Sequence, residues 1–155
     1  MIALSDLRDL PVFEGVSEDC LRRVVPHAAD VRIDEGQWLV REGEAPAFYV
    51  LLSGSFDLMK RYPDGLRRLA VREQRGDYLG ELPIVFGTPF FAGARANTPL
   101  RVARFDRAQF GRLVSESQPL RNRITESIGQ RVEVPACPPV ASRSIRTVRR
   151  PSEAP

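Results

Sequence analysis

Residues Gly36–Gly54 read GQWLVREGEAPAFYVLLSG and residues Arg75–Ala96 read RGDYLGELPIVFGTPFFAGARA. In the first stretch apolar residues recur every second position, at Trp38 and Val40 and at Phe48, Val50 and Leu52, which is the period of a β-strand rather than a helix. Gly36, Gly43 and Gly54 fall where such strands must turn. The second stretch contains Gly80-Glu81-Leu82, a step that opens a short helix after a glycine, where backbone N–H groups and one carboxylate can together meet an anionic, hydroxyl-bearing ligand. Phe90 and Phe91 follow, apolar where such a ligand calls for a cation.

Working outward, the same period appears at Val31 and Ile33, at Phe56 and Leu58, at Leu69 and Val71, and at Leu100 and Val102 with Phe105. Breakers of the Asp-Glu-Gly and Gly-Glu-Ala-Pro kind separate these runs of about six residues, the usual strand length in all-β domains. Pro63-Asp64-Gly65 predicts a tight turn joining two strands as a hairpin. Before the strands, Ser17 caps a predicted helix with Glu18 and Asp19 in its first turn and Leu21, Val24, Val25 and Ala28 on one face. Pro26 ends or bends it. Leu4, Leu7 and Leu10 predict a shorter amphipathic turn, with Val12 and Phe13 anchoring it to a sheet. After the strands, Asp106 caps a helix bearing Phe110 and Leu113. Pro119 opens a last helix with the stripe Leu120, Ile124, Ile128 and Val132.

At 155 residues, 43% apolar and 28% charged, the chain is long enough for one domain with a sizeable core plus an extension. The expected division is a domain over residues 1–132 and a Pro/Arg-rich flexible tail or linker over 133–155, where five prolines interrupt any apolar period. Arg143, Arg146, Arg149 and Arg150 against Glu153 carry the whole net charge of +3, so the body is neutral. A neutral body argues against nucleic acid as a partner. Cys20 and Cys137 have no metal-ligand spacing and suit a reducing compartment. Neither the N-terminus nor any apolar run has the pattern of a signal peptide or a membrane span, so a cytoplasmic location is expected, with no membrane partner.

A helix, about eight short strands with glycine corners, a short helix inserted among them and two closing helices describe a mainly β fold, a jelly-roll-like β-roll flanked by N-terminal and C-terminal α-helices. Over roughly residues 10 to 132 this order resembles the cyclic nucleotide-binding domain family. The resemblance rests on Leu10-Pro11-Val12-Phe13, on Gly36 and Glu42-Gly43, on Phe48 through Gly54, and on Gly76-Asp77-Tyr78-Leu79-Gly80-Glu81-Leu82. It implies a phosphate-binding cassette after the Gly-Glu step: helix amides for a cyclic phosphate, a glutamate for the ribose 2′-hydroxyl, and an arginine for the phosphate charge. Gly80, Glu81 and Leu82 match its start, and Pro89 matches the proline before the arginine. Ala92, Arg95 and Ala96 match the strand that leaves it. Phe90 stands at the arginine's own position. Losing a buried charge-paired contact costs about 2–5 kcal/mol, roughly 30- to 5,000-fold in affinity.

The ligand-binding candidates are therefore Gly80, Glu81, Leu82, Phe90, Phe91 and Arg95, with no catalytic and no metal-binding residue. Each has a structural alternative. Glu81 is either a ribose acceptor or an acid that favours a helix N-terminus. Phe90 and Phe91 either floor a different ligand or a docking patch, or fill the space a ligand has vacated. Arg95 either meets an anion or pairs with a neighbouring acid. His27 stands alone, with no partner at metal or proton-relay spacing, and nothing near Cys137 lowers its pKa.

The resulting expectation is a non-catalytic regulatory or sensor module with a degenerate cassette and no cofactor. It would relay ligand or partner binding through its C-terminal helix to a downstream domain or protein, or self-associate as a homodimer through that helix. A genuine cyclic AMP or cyclic GMP sensor is the alternative. So is an accessory domain, since the 38–54 run and the cassette are also similar to sensor domains fused ahead of thioredoxin-reductase-like flavoenzymes in bacteria. A transcription factor would need more than the 23 residues after Val132 for its reading head.

Overall fold

The computed structural model describes residues 1–133. Apart from Glu133, the expected tail, including Cys137 and the four arginines beyond it, lies outside the described residues. The chain divides into a unit of residues Met1–Ile124 and a second, Thr125–Pro155.

Two short N-terminal helices, α1 (Leu4–Arg8) and α2 (Glu18–Val24), precede eight strands. Ser17 caps α2 as its sequence position predicts, its Oγ accepting from the Cys20 N–H at 3.2 Å. Pro26 sits in a 3-10 turn, Val25–His27, that ends the helix without adding a residue to it. The strands are β1 (Ala29–Ile33), β2 (Trp38–Val40), β3 (Phe48–Ser53), β4 (Phe56–Tyr62), β5 (Gly65–Arg72), β6 (Tyr78–Leu79), β7 (Gly93–Ala96) and β8 (Leu100–Phe105). The inserted helix α3 (Glu81–Phe86) lies between β6 and β7 in sequence, and α4 (Arg107–Glu116) and α5 (Gln118–Glu133) close the described chain.

All pairings are antiparallel, in two four-stranded sheets ordered β1-β8-β3-β6 and β2-β7-β4-β5. This is the β-roll the alternation predicts, and Pro63-Asp64 joins β4 to β5 as a hairpin. β3 explains the arrangement. Its residues Phe48 through Leu52 are all buried because both faces are covered. Tyr49 and Leu51 point into the roll with Val40, Phe56, Ala94, Ala96, Leu100 and Val102. Phe48 faces the other way, its ring 4.8 Å from that of Phe110 on α4 and 6.1 Å from Phe105, which in turn meets Phe13 edge-on at 6.3 Å. Thus Phe13 anchors the N-terminal turn to a sheet, through β8, with Val12 buried beside it in sequence.

Asp106 and Gln109 cap α4 reciprocally, each side chain accepting from the other's backbone N–H at 2.8 and 2.9 Å. Leu120 and Ile124 of α5 are buried within the first unit, where Arg123 donates to the Val12 carbonyl at 2.8 Å. Cys20 is buried, and burial pushes its thiol pKa up.

Candidate functional site: the Gly80–Ala96 segment

The segment begins at a point of backbone contact. Gly80 has φ +104°, and a Cβ built on it would overlap the Ala47 carbonyl oxygen at the entry to β3. Only glycine satisfies both the left-handed turn and the approach, so the residue that precedes α3 is fixed by packing. α3 then runs for six residues, with Ile84 N–H returning to the Gly80 carbonyl at 3.2 Å. A second left-handed glycine, Gly87, ends it. Glu81, the first residue of α3, is fully buried, while Leu82 is half-buried. A fully buried carboxylate is rare, because water hydrates the ionised form far better than a protein interior does.

The loop after α3 is pinned from three sides. Phe90 N–H donates to the Glu44 carbonyl at 2.9 Å, and Gly43 N–H donates back to the Phe90 carbonyl at 2.7 Å. Lys60 Nζ donates to the Phe91 carbonyl at 2.8 Å and to Glu42 Oε2 at 3.0 Å. The other oxygen of Glu42 accepts the Arg61 N–H at 3.0 Å, and that contact, with Lys60, holds its carboxyl below the usual range. These bonds fix the direction of two adjacent rings. Phe90 turns inward and is buried in the roll with its ring 6.2 Å from that of Tyr49. Phe91 turns outward and is 49% exposed.

The six sequence candidates therefore separate into four places. Gly80, Glu81 and Leu82 form the start of α3. Phe90 joins the interior cluster to which Leu79, just before that start, also belongs. Phe91 lies outside with Val85 and Phe86, beside an open depression of about 610 Å³ bounded by Glu42, Gly43, Thr88 and Pro89, which the largely buried Phe90 also touches. Arg95 is on the far face of β7, because Ala94 and Ala96 on either side of it point into the roll. Its guanidinium lies 5.6 Å from the centre of the Trp38 ring, a partner the sequence reading of an anion or an acid did not anticipate.

Sequence reasoning also missed the cluster around Arg101. From β8 this side chain reaches Asp30 on β1 at 3.0 Å and Asp6 on α1 at 3.1 Å. The N-terminal ammonium adds a contact to Asp30 at 2.7 Å. Asp6 and Asp30 are remote from Arg101 in sequence, and only the register β1–β8, which sets Arg32 opposite Arg101, brings them near.

A model of the cyclic nucleotide-binding domain matches residues 30–117. The regulatory subunit of cAMP-dependent protein kinase from Emericella nidulans is 26% identical over 118 residues, covering 76% of this chain and 28% of the subunit. Among solved structures, the sensor domain of the transcriptional regulator DNR from Pseudomonas aeruginosa superposes with a TM-score of 0.72 at 26% identity, covering 86% of this chain and 93% of that one. The regulatory subunit of a cAMP-independent protein kinase A from Trypanosoma brucei gives a TM-score of 0.70 at 22% identity over 79% of this chain and 46% of that one, a likeness of fold. The chain spans little more than a quarter of the Emericella subunit's length. With the domain model covering more than half of its residues, on a β-roll interrupted by α3 after Gly80-Glu81, this chain belongs to the cyclic nucleotide-binding domain family.

Proposed function

We propose that the chain is a non-catalytic regulatory module of this family whose cassette has lost ordinary cyclic nucleotide binding. The observation that carries the reading is the place of Phe90. At the position where the family resemblance puts a phosphate-pairing arginine, a phenyl ring is packed into the roll against Tyr49 and held there by two backbone hydrogen bonds to residues 43 and 44. A cyclic diester entering the same space would have to displace that ring and would find no cation behind it. Glu81 then serves the fold, as a buried acid at the start of α3, and not a ribose.

The outward half of the segment supplies the regulatory surface. Val85, Phe86 and Phe91 are each about half exposed or more. They belong to a helix and loop that are hydrogen-bonded to the rest of the domain, so a partner docking there meets a preformed apolar patch. The route onward is α5, whose Leu120 and Ile124 are seated in the same unit as the cassette. A partner shifts that helix only by binding its two arrangements unequally.

Calorimetric titration of the whole chain with cyclic AMP and with cyclic GMP tests the reading. No saturable heat at millimolar nucleotide is expected. Micromolar binding of either one, abolished in Glu81→Ala, would overturn it and make the chain a genuine second-messenger sensor.

A further inference from the structure

A second polar site lies on the outer face of the β2-β7-β4-β5 sheet, away from the interior of the roll. The register sets Trp38 opposite Arg95, Met59 opposite Gly93 and Arg61 opposite Leu66, and these side chains share the face that Ala94, Ala96 and Phe56 do not occupy. Trp38 is laid across β7 at Gly93, where a Cβ would come within 2.7 Å of its Cζ3. Two guanidiniums stand over this ring, Arg41 at 5.4 Å and Arg95 at 5.6 Å from its centre. Beside them a cavity of about 190 Å³ is lined by Trp38, Arg41, Glu42, Arg61 and Leu66.

The charges there do not balance. Glu42 is the one acid lining the cavity, and its two oxygens are already taken by Lys60 and by the Arg61 N–H. Asp57, across the strand from Arg95, accepts from Asn97 at 2.8 Å and lies 3.9 Å from Arg68. Among the described residues Arg41, Arg61 and Arg95 have no carboxylate within ion-pair distance. Like charges gathered around one ring and one small cavity repel one another unless an anion answers them. Arginine's planar fork is matched by carboxylate and by phosphate alike. A single carboxylate, however, neutralises one cation, whereas a phosphate monoester or a pyrophosphate brings two or more charges in one small group.

The geometry points to a binding site on this outer face for a multiply charged phosphoryl group, with Arg41 and Arg61 as its direct ligands and Trp38 as the platform that holds Arg41 and Arg95 in place. It needs no cyclic nucleotide, whose diester carries one charge.

Trp38 is the chain's one tryptophan, so its fluorescence reports the site directly. The whole chain is titrated with sodium pyrophosphate, with sodium citrate, and with sodium chloride at matched ionic strength. The expected result is a saturable change with pyrophosphate that citrate reproduces at least tenfold more weakly and chloride not at all. Arg41→Gln and Arg61→Gln, both at exposed positions, should each weaken pyrophosphate at least tenfold, with circular dichroism confirming an unchanged fold. A response that follows ionic strength alone, a citrate affinity equal to that of pyrophosphate, or a pyrophosphate affinity unchanged in both variants would overturn the assignment.

Discussion

Phe90 and Phe91 are adjacent, chemically identical and opposite in circumstance: one is 5% exposed inside the roll, the other 49% exposed beside an open depression. The strand period alone would place neighbours on opposite faces, but here they sit in a loop, and it is the hydrogen bonds from Phe90 to residues 43 and 44 that decide which ring goes in. The inside of this segment contributes cohesion and the outside contributes surface. A substitution inward should therefore be read in stability, and a substitution outward in association.

The two ends of α3 give the largest test of that division. Gly80 and Gly87 are both left-handed, at φ +104° and +68°, yet a side chain at Gly80 would strike the Ala47 backbone while one at Gly87 meets nothing within 4 Å. Gly80→Val combines a β-branched residue at positive φ with a clash that only backbone movement relieves. It should cost more than about 5 kcal/mol, and chemical denaturation should show no cooperative transition. Gly87→Val carries the conformational cost alone, about 1–2 kcal/mol. Equal losses at the two glycines would mean that close approach to β3 does not hold α3 in place.

Next in size is the pair itself. Phe90→Ala empties space between Tyr49 and the rest of the interior cluster and should cost about 3–4 kcal/mol. Phe91→Ala should stay within about 0.5 kcal/mol, as substitutions at exposed positions do. Urea midpoints of the two variants decide it, and a Phe90 variant as stable as the Phe91 one would remove the ground for regarding that ring as core.

How much of this was legible beforehand follows from the range of the forces involved. The caps at Ser17 and Asp106, the Pro63-Asp64 turn and the strand alternation are set by residues within a few positions of one another, so the β-roll and its helices could be read directly from them. The start of α3 was legible for the same reason, since a glycine before an acid and an apolar turn is a local pattern. Whether Phe90 points inward was not, because it depends on Gly43 and Glu44, nearly fifty residues earlier. Two-residue β6 leaves no periodic trace, and the sequence around Arg95 suggests an anion or an acid because nothing in its own stretch announces that Trp38 lies beside it.

The remaining test belongs to the β1-β8-β3-β6 sheet, and its signature is pH rather than magnitude. Arg101 holds the carboxyls of both Asp30 and Asp6 below their ordinary 3.8 by hydrogen bonding to them, with the N-terminal ammonium and the Ala3 N–H as lesser contributors. A carboxyl lowered in the folded state binds fewer protons there than in the unfolded chain. Its contribution is therefore complete above about pH 4 and is lost as the pH falls below it. Arg101→Gln removes the cation while both acids remain, so the gap in stability between the wild-type chain and this variant should be widest near neutrality and should narrow as the pH falls below about 4. Phe90→Ala, which changes no charge, should keep its deficit at every pH where the protein folds. Denaturation midpoints taken at intervals from pH 7 down to pH 3 separate the two behaviours. A constant gap for Arg101→Gln would place the cluster with Phe90, as packing, and not with the charged exterior.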